Sequence, residues 1–251
     1  MSEASPSHLD AYAQSAEMYD ILSEQHWKSR RSSIVAALQT FGPEVKTVLD
    51  IGAGTGMALN ILTEVFPNAH VHAIEPSASM RIGLMTRILA DSRLRQQVTV
   101  HPADITHARI PSDIDIALVC GCVGFFDVPA RRALWPRLAE SLAPGGAVLV
   151  DVMPISEPQE VPEFRAASAE VGQHRHDIWL RGERVVDAPD IMRWHTRFEQ
   201  RDGETLIRHF SIERDWHTFS LDSLLDEAAE AGFRAERLTD SPVPAALLRR
   251  D

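Results

Sequence analysis

The residues of this 251-residue chain best suited to chemistry are Asp50, Glu75 and Asp104, with the glycine run Gly52-Ala53-Gly54-Thr55-Gly56. Asp50 sits near the end of an apolar stretch with Val48, Leu49 and Ile51, and Ala58, Ile61, Leu62 and Val65 follow the glycines at helical spacing. That order predicts a strand, a tight loop and a helix. The glycines permit a sharp turn and leave no Cβ where a ligand lies against the backbone. A carboxylate two residues before the first glycine repels a pyrophosphate but suits a cationic ammonium group. Glu75 ends a second apolar run, 25 residues after Asp50, where a carboxylate can accept both hydroxyls of a ribose. Asp104 follows a third run. Three acids at the carboxyl ends of three successive strands stand where open α/β sheets bind their ligands.

These features resemble the class I S-adenosylmethionine (SAM)-dependent methyltransferases. The resemblance lies in the compact G-x-G-x-G spacing after Asp50 and in Pro76, Ser77 and Met80 after Glu75, and it covers about residues 45–153. It implies SAM as cofactor, held by Asp50, Gly52, Ala53, Gly54, Gly56, Glu75, Pro76, Met80, Asp104, Ile105 and Cys120. Glu75 would take the ribose, Pro76, Ser77 and Met80 the flanks of the adenine, and Asp104 its amino group. Ala16-Glu17-Met18-Tyr19-Asp20 is similar to an N-terminal helix that closes over cofactor and acceptor in many such enzymes, which makes Tyr19 a candidate for the reacting end.

The elements that must position these residues alternate. Strands are predicted at 46–51, 70–75, 97–101, 114–122 and 147–153, with helices at 56–66, 79–90 and from Pro129 to about Leu142. A helix at 221–231, capped by Ser220, and strands at 233–239 and 243–249 follow. The expected fold is an α/β, Rossmann-like, doubly wound, mostly parallel seven-stranded sheet with an N-terminal helical cap and an antiparallel β insertion. Residues 1–40 would form the cap, 41–153 the SAM-binding core, 154–216 a lid and 217–251 the completion of one domain. The cap is read as two helices, from Ser7 to about Trp27 and from Ser29 to Leu38. Within the lid a short helix is expected at Glu163–Val171, a strand at 177–187, and a hairpin turning at Asp202-Gly203. That turn would place Trp194, Thr196 and Phe198 beside Ser211, His209 and Ile207.

Methyl transfer from a sulfonium needs alignment and a dry pocket more than a dedicated catalyst. After the fourth strand, where relatives often carry histidines, this chain reads Cys122-Val123-Gly124-Phe125-Phe126-Asp127. The remaining base candidates are His195, His209, His217, His174 and His176, with His209 put forward because it shares a face with Trp194 and Phe198. His174-x-His176-Asp177 offers two imidazoles without a third well-placed ligand, so no metal site is expected.

A net charge of −11 with no long basic run disfavours a nucleic-acid substrate and tolerates an amine. No stretch reaches the roughly 18 apolar residues of a membrane span, and Met-Ser-Glu-Ala-Ser-Pro lacks the parts of a secretory signal, so a cytoplasmic location is expected. Two cysteines in one apolar strand, Cys120 and Cys122, suit a reduced interior. With lysine only at positions 28 and 46, no tyrosine has a lysine four residues on, which excludes a short-chain nicotinamide oxidoreductase. Short pieces (Met192-Arg193-Trp194 and Asp215-Trp216-His217-Thr218) resemble natural-product methyltransferases acting on amino sugars or peptide amines. The expected activity is therefore methylation of a small molecule or peptide, nitrogen ahead of oxygen, with the lid also a candidate homodimer surface. The alternatives are a SAM-fold cyclisation or rearrangement, and a non-catalytic SAM-fold partner.

Overall fold

The computed structural model describes residues 10–250. Five parallel strands form the heart of the main sheet: β1 (Thr47–Ile51), β2 (His70–Ile74), β3 (Val98–His101), β4 (Ile114–Val119) and β5 (Leu142–Asp151). Helices α2 (Leu59–Val65), α3 (Ala78–Ala90), α4 (Ser92–Gln97) and α5 (Val128–Ser141) connect them. An antiparallel sheet, β6 (Val161–Val171), β7 (His174–Arg184), β8 (Ile191–Asp202) and β9 (Thr205–His217), is inserted next. Helix α6 (Leu221–Glu230) then leads to β10 (Phe233–Arg237) and β11 (Ala245–Arg250). The main sheet runs β10-β11-β5-β4-β1-β2-β3, and β11 is antiparallel to both of its neighbours. Val48, Leu49, Ile116, Ala117, Leu118 and Val119 have no exposed surface, as strands covered on both faces require. Among the described residues no helix is long and apolar enough to cross a membrane.

Three local expectations are corrected. Residues 16–39 form one helix, α1, rather than two. The segment contains neither glycine nor proline, so nothing interrupts its hydrogen-bond ladder. The predicted helix at 163–171 is instead strand β6, paired antiparallel with β7. Its alanines and glutamates favour a helix locally, but a ladder partner and the burial of Ala167 against α1 and the lid decide the outcome. In the β8–β9 hairpin the turn is Gly203-Glu204, and a bulge at Gln200/Arg201 shifts the register again. The sum displaces the pairing by three residues, so opposite side chains exchange faces. Phe198 now stacks on Phe210 with ring centroids 4.7 Å apart, and His209 opposes Glu199.

Arg131 ties α5 to α6 and to the segment just before it. Arg131 of α5 donates two hydrogen bonds of 2.7 Å to the Glu227 carboxylate of α6, and both side chains are more than nine-tenths buried. The guanidinium also lies 4.0 Å from the Phe219 ring centroid. Removing one member of such a pair strands the other charge in the interior. Glu227→Leu is expected to cost about 3 kcal/mol of folding free energy, read as a lower midpoint in urea unfolding, and a midpoint unchanged from the parent would refute it.

Candidate functional site

The carboxyl ends of the parallel strands open into a cavity of about 1110 Å³, roofed by the N-terminal segment, α1 and the end of β9. Gly52 and Gly54 take left-handed backbone conformations, with φ of +69° and +58°, which glycine adopts without strain. A Cβ on Gly52 would lie 2.8 Å from the Cys122 Cβ, and one on Gly54 would meet the Tyr19 ring at 3.7 Å. Gly56 stands behind the cavity wall, where a Cβ would meet Leu84 at 2.8 Å. It shapes the turn into α2 rather than lining the site. Ala53, Ile105, Met80, Pro76 and Cys120 all line the cavity.

Asp50 is 4% exposed, and its Oδ2 has no hydrogen-bond partner. Burial, reinforced by the nearby Glu75 charge, pushes the Asp50 carboxyl up to about 7. Glu75, 5% exposed, accepts 2.8 Å bonds from the backbone N–H groups of Gly54 and Ser77. Burial still raises it, because those bonds offset the desolvation only in part. Glu75 therefore ties the glycine loop to the end of β2 as well as facing the cavity. Asp104 is exposed on the cavity wall and accepts from the Thr106 backbone N–H at 2.8 Å and its hydroxyl at 2.6 Å.

The cap reaches the site through three polar anchors that the sequence did not announce. Asp10 accepts from the Ser77 hydroxyl and the Ser79 N–H, both at 2.7 Å. Burial works against the Asp10 charge, but these bonds and that from Tyr12 outweigh it and hold the carboxyl at about 2. Asp20 accepts from the Thr55 hydroxyl and from Arg87 of α3. Buried Arg30 pairs with Asp151 at 2.5 Å, and Asp151 also accepts the Gly121 N–H at 2.7 Å. Asp151 is the acid that ends β5, as Asp50 stands in β1, so a strand-end acid was its available signal.

Tyr19 lies where its sequence suggested, against the glycine loop and on the cavity wall. Burial, then the Glu75 charge, pushes its hydroxyl up to about 12, so it stays protonated at neutral pH. Tyr12 meets it edge-on at 5.6 Å, from a turn preceding α1 rather than from the helix itself. Phe125 continues the aromatic wall at 6.2 Å from Tyr12, and Trp216 lies 4.6 Å beyond. His209 is corrected: it is exposed and absent from the cavity wall, because the register shift turns it away. His195 lies between Glu183 and Glu213 on the lid, and His174 and His176 lie on strand β7 rather than a loop. The histidines that do line the cavity are His26 and His217.

Residues 48–146 match a family model described as a methyltransferase domain. Along nearly its whole length the chain is similar to the dTDP-4-amino-2,3,4,6-tetradeoxy-D-glucose N,N-dimethyltransferase of Saccharopolyspora spinosa, at 27% identity over 95% of this chain and 90% of that protein. It is 26% identical to the dTDP-3-amino-3,4,6-trideoxy-alpha-D-glucopyranose N,N-dimethyltransferase of Streptomyces venezuelae, over 90% of this chain and 93% of that one. Among solved structures, the sugar N-methyltransferase KedS8 from Streptoalloteichus superposes with a TM-score of 0.76 at 21% identity, covering 100% of this chain and 98% of that chain.

The cavity fits SAM on two observations of its own. Asp50 is absent from the cavity wall itself but carries, beside it in the chain, a buried acceptor oxygen without a partner, and at Gly54, on the wall, a Cβ would take up the space in front of the Tyr19 ring. Because Asp50 must be ionised to pair with an ammonium, SAM binding is expected to release a proton near pH 7 and to weaken as pH falls through that value. Calorimetry in buffers of different ionisation heat reads this, with Asp50→Asn expected to bind weakly and without the pH dependence. Parent-like binding by that variant would refute the role of Asp50. Residues 48–146 are thus matched as a methyltransferase domain, and the chain around them is similar to sugar N-methyltransferases over nearly its whole length.

Proposed function

We propose that this methyltransferase methylates the amino group of a small nucleotide-linked aminodeoxysugar. The observation that carries the reading is the extent of the similarity. The generic methyltransferase match stops at residue 146, whereas the similarity to the two sugar N,N-dimethyltransferases runs on through the lid. The lid and cap cover the acceptor side, so it is the part of the chain that separates one substrate class from another.

When bound, SAM supplies a methyl group on a sulfonium, activated for in-line displacement. Asp50 would hold its ammonium, Glu75 the ribose and Asp104 the adenine amino group, with Pro76, Met80 and Ile105 as walls. Tyr19, which lies against Gly54, would close over the methionine end. Tyr12, Phe125 and Trp216 give the acceptor half an apolar, aromatic lining that excludes water around the reacting nitrogen. Alignment of two held reactants supplies about 7–11 kcal/mol of barrier reduction. The net charge of −11 without a basic run argues against a nucleic-acid substrate. We place the reaction in the cytoplasm. Exposed Phe164, Leu206 and Ile207 on the lid support a homodimer through that sheet, which sedimentation of the free enzyme tests.

Incubation with SAM and dTDP-linked 3-amino or 4-amino deoxysugars is expected to yield S-adenosylhomocysteine and sugars with one or two added N-methyl groups by mass spectrometry. Methylation of a hydroxyl, or turnover without S-adenosylhomocysteine, would reject the reading. The Trp216 ring occupies the space into which a side chain on Gly124 would project. Gly124→Ala is therefore expected to raise the acceptor KM and leave SAM affinity unchanged. Equal loss of both would place Trp216 outside the acceptor half.

A further inference from the structure

His217 is the last residue of β9, and it lines the cavity together with its chain neighbour Trp216. Its Nδ1 lies 2.8 Å from the Oδ2 of Asp190, in the turn that precedes β8. The turn is fixed independently: the Thr218 N–H and hydroxyl both reach the Asp190 carbonyl, at 2.7 and 3.1 Å. The contact with His217 holds the Asp190 carboxyl below the usual carboxylate range, so it is ionised at neutral pH and can only accept. Nδ1 then carries a proton toward Asp190, and in the neutral ring the lone pair is on Nε2. The other charged groups around the dyad are Asp215 on β9 and Arg131 on α5, the latter already bound to Glu227. His26, the second cavity histidine, makes no hydrogen bond to a carboxylate among the described residues, and burial and Arg30 both push it down.

We infer that His217 is the base that deprotonates the acceptor, with Asp190 as its positioning residue; this rests on the amine-methylation reading above. An amino sugar reaches the enzyme largely as an ammonium ion, which has no lone pair to attack with. One N–H bond of that ammonium breaks, and the proton passes to Nε2 of His217. The electron pair of the broken bond stays on nitrogen as the nucleophilic lone pair. The imidazolium so formed is stabilised by the Asp190 carboxylate on its other side.

His217→Gln is expected to lower kcat on a dTDP-amino sugar by about two to four decades near pH 7. The deficit should narrow toward about pH 9, as solvent deprotonates the amine instead. SAM affinity should stay at the parental value, and Asp190→Asn should shift kcat and the pH profile in the same direction. A readout free of turnover uses the wild-type protein with 15N-labelled histidine, in which the neutral His217 ring should carry its proton on Nδ1. A proton on Nε2 would overturn the assignment, whatever the variants do. So would a His217→Gln enzyme that keeps the parental rate and pH profile. A wild-type enzyme that forms S-adenosylhomocysteine with hydroxyl acceptors and no amine would overturn the amine reading, and this base with it.

Discussion

An uncompensated carboxylate sits at the centre of this molecule. Asp50 is buried on β1 with one oxygen unpartnered, and Glu75 lies close enough to raise it further. A buried charge without a partner opposes folding and invites protonation. Protonation relieves part of that cost near neutral pH, and a cationic ligand would relieve the rest by pairing with the charge. The glycine loop is the geometric counterpart of the same constraint. Two residues with positive φ bring bare backbone past the carboxylate, and Glu75 fastens the loop by accepting from Gly54.

The cap depends on that arrangement. Asp10, Asp20 and Arg30 each cross from the N-terminal region to a different part of the core: the start of α3, the glycine loop with α3, and the end of β5. The apolar contacts of α1 divide along its length. Met18 packs with the lid residues Ala167, Ile178 and Phe198, whereas Ile34, Ala37 and Leu38 pack on the main core. One uninterrupted helix therefore couples the lid to the sheet, and the cavity lies between its two halves. The Arg30–Asp151 pair is buried and polar, and such pairs contribute more to placement than to stability. Here it fixes where the helix crosses the strand ends.

Part of the cavity wall is built differently from the glycine loop. That part is aromatic, drawn from the turn before α1, the loop after β4 and the end of β9. Gly124 admits the Trp216 ring against that loop, so the departure from a histidine-bearing motif has a structural use. A histidine reaches the same cavity from the end of β9, as His217 held by Asp190.

By itself the sequence determined the parts whose physics is local. Apolar runs ending in Asp50 and Glu75, glycines at alternate positions and the alternation of strand with helix all act within a few residues, and their order was enough for the doubly wound sheet. The serine cap at Ser220 belongs to the same class. Tertiary structure decided what depends on partners far away in the chain. Residues 163–171 have a helical composition and became a strand because β7 lay beside them. One bulge and a one-residue shift of turn reversed the faces of the β8–β9 hairpin, which a period-two pattern cannot foresee, and so carried His209 out to solvent. The pairing of Asp190 with His217 spans 27 residues, and that of Arg30 with Asp151 spans 121. No spacing rule links such residues, because only the folded chain brings their charges together.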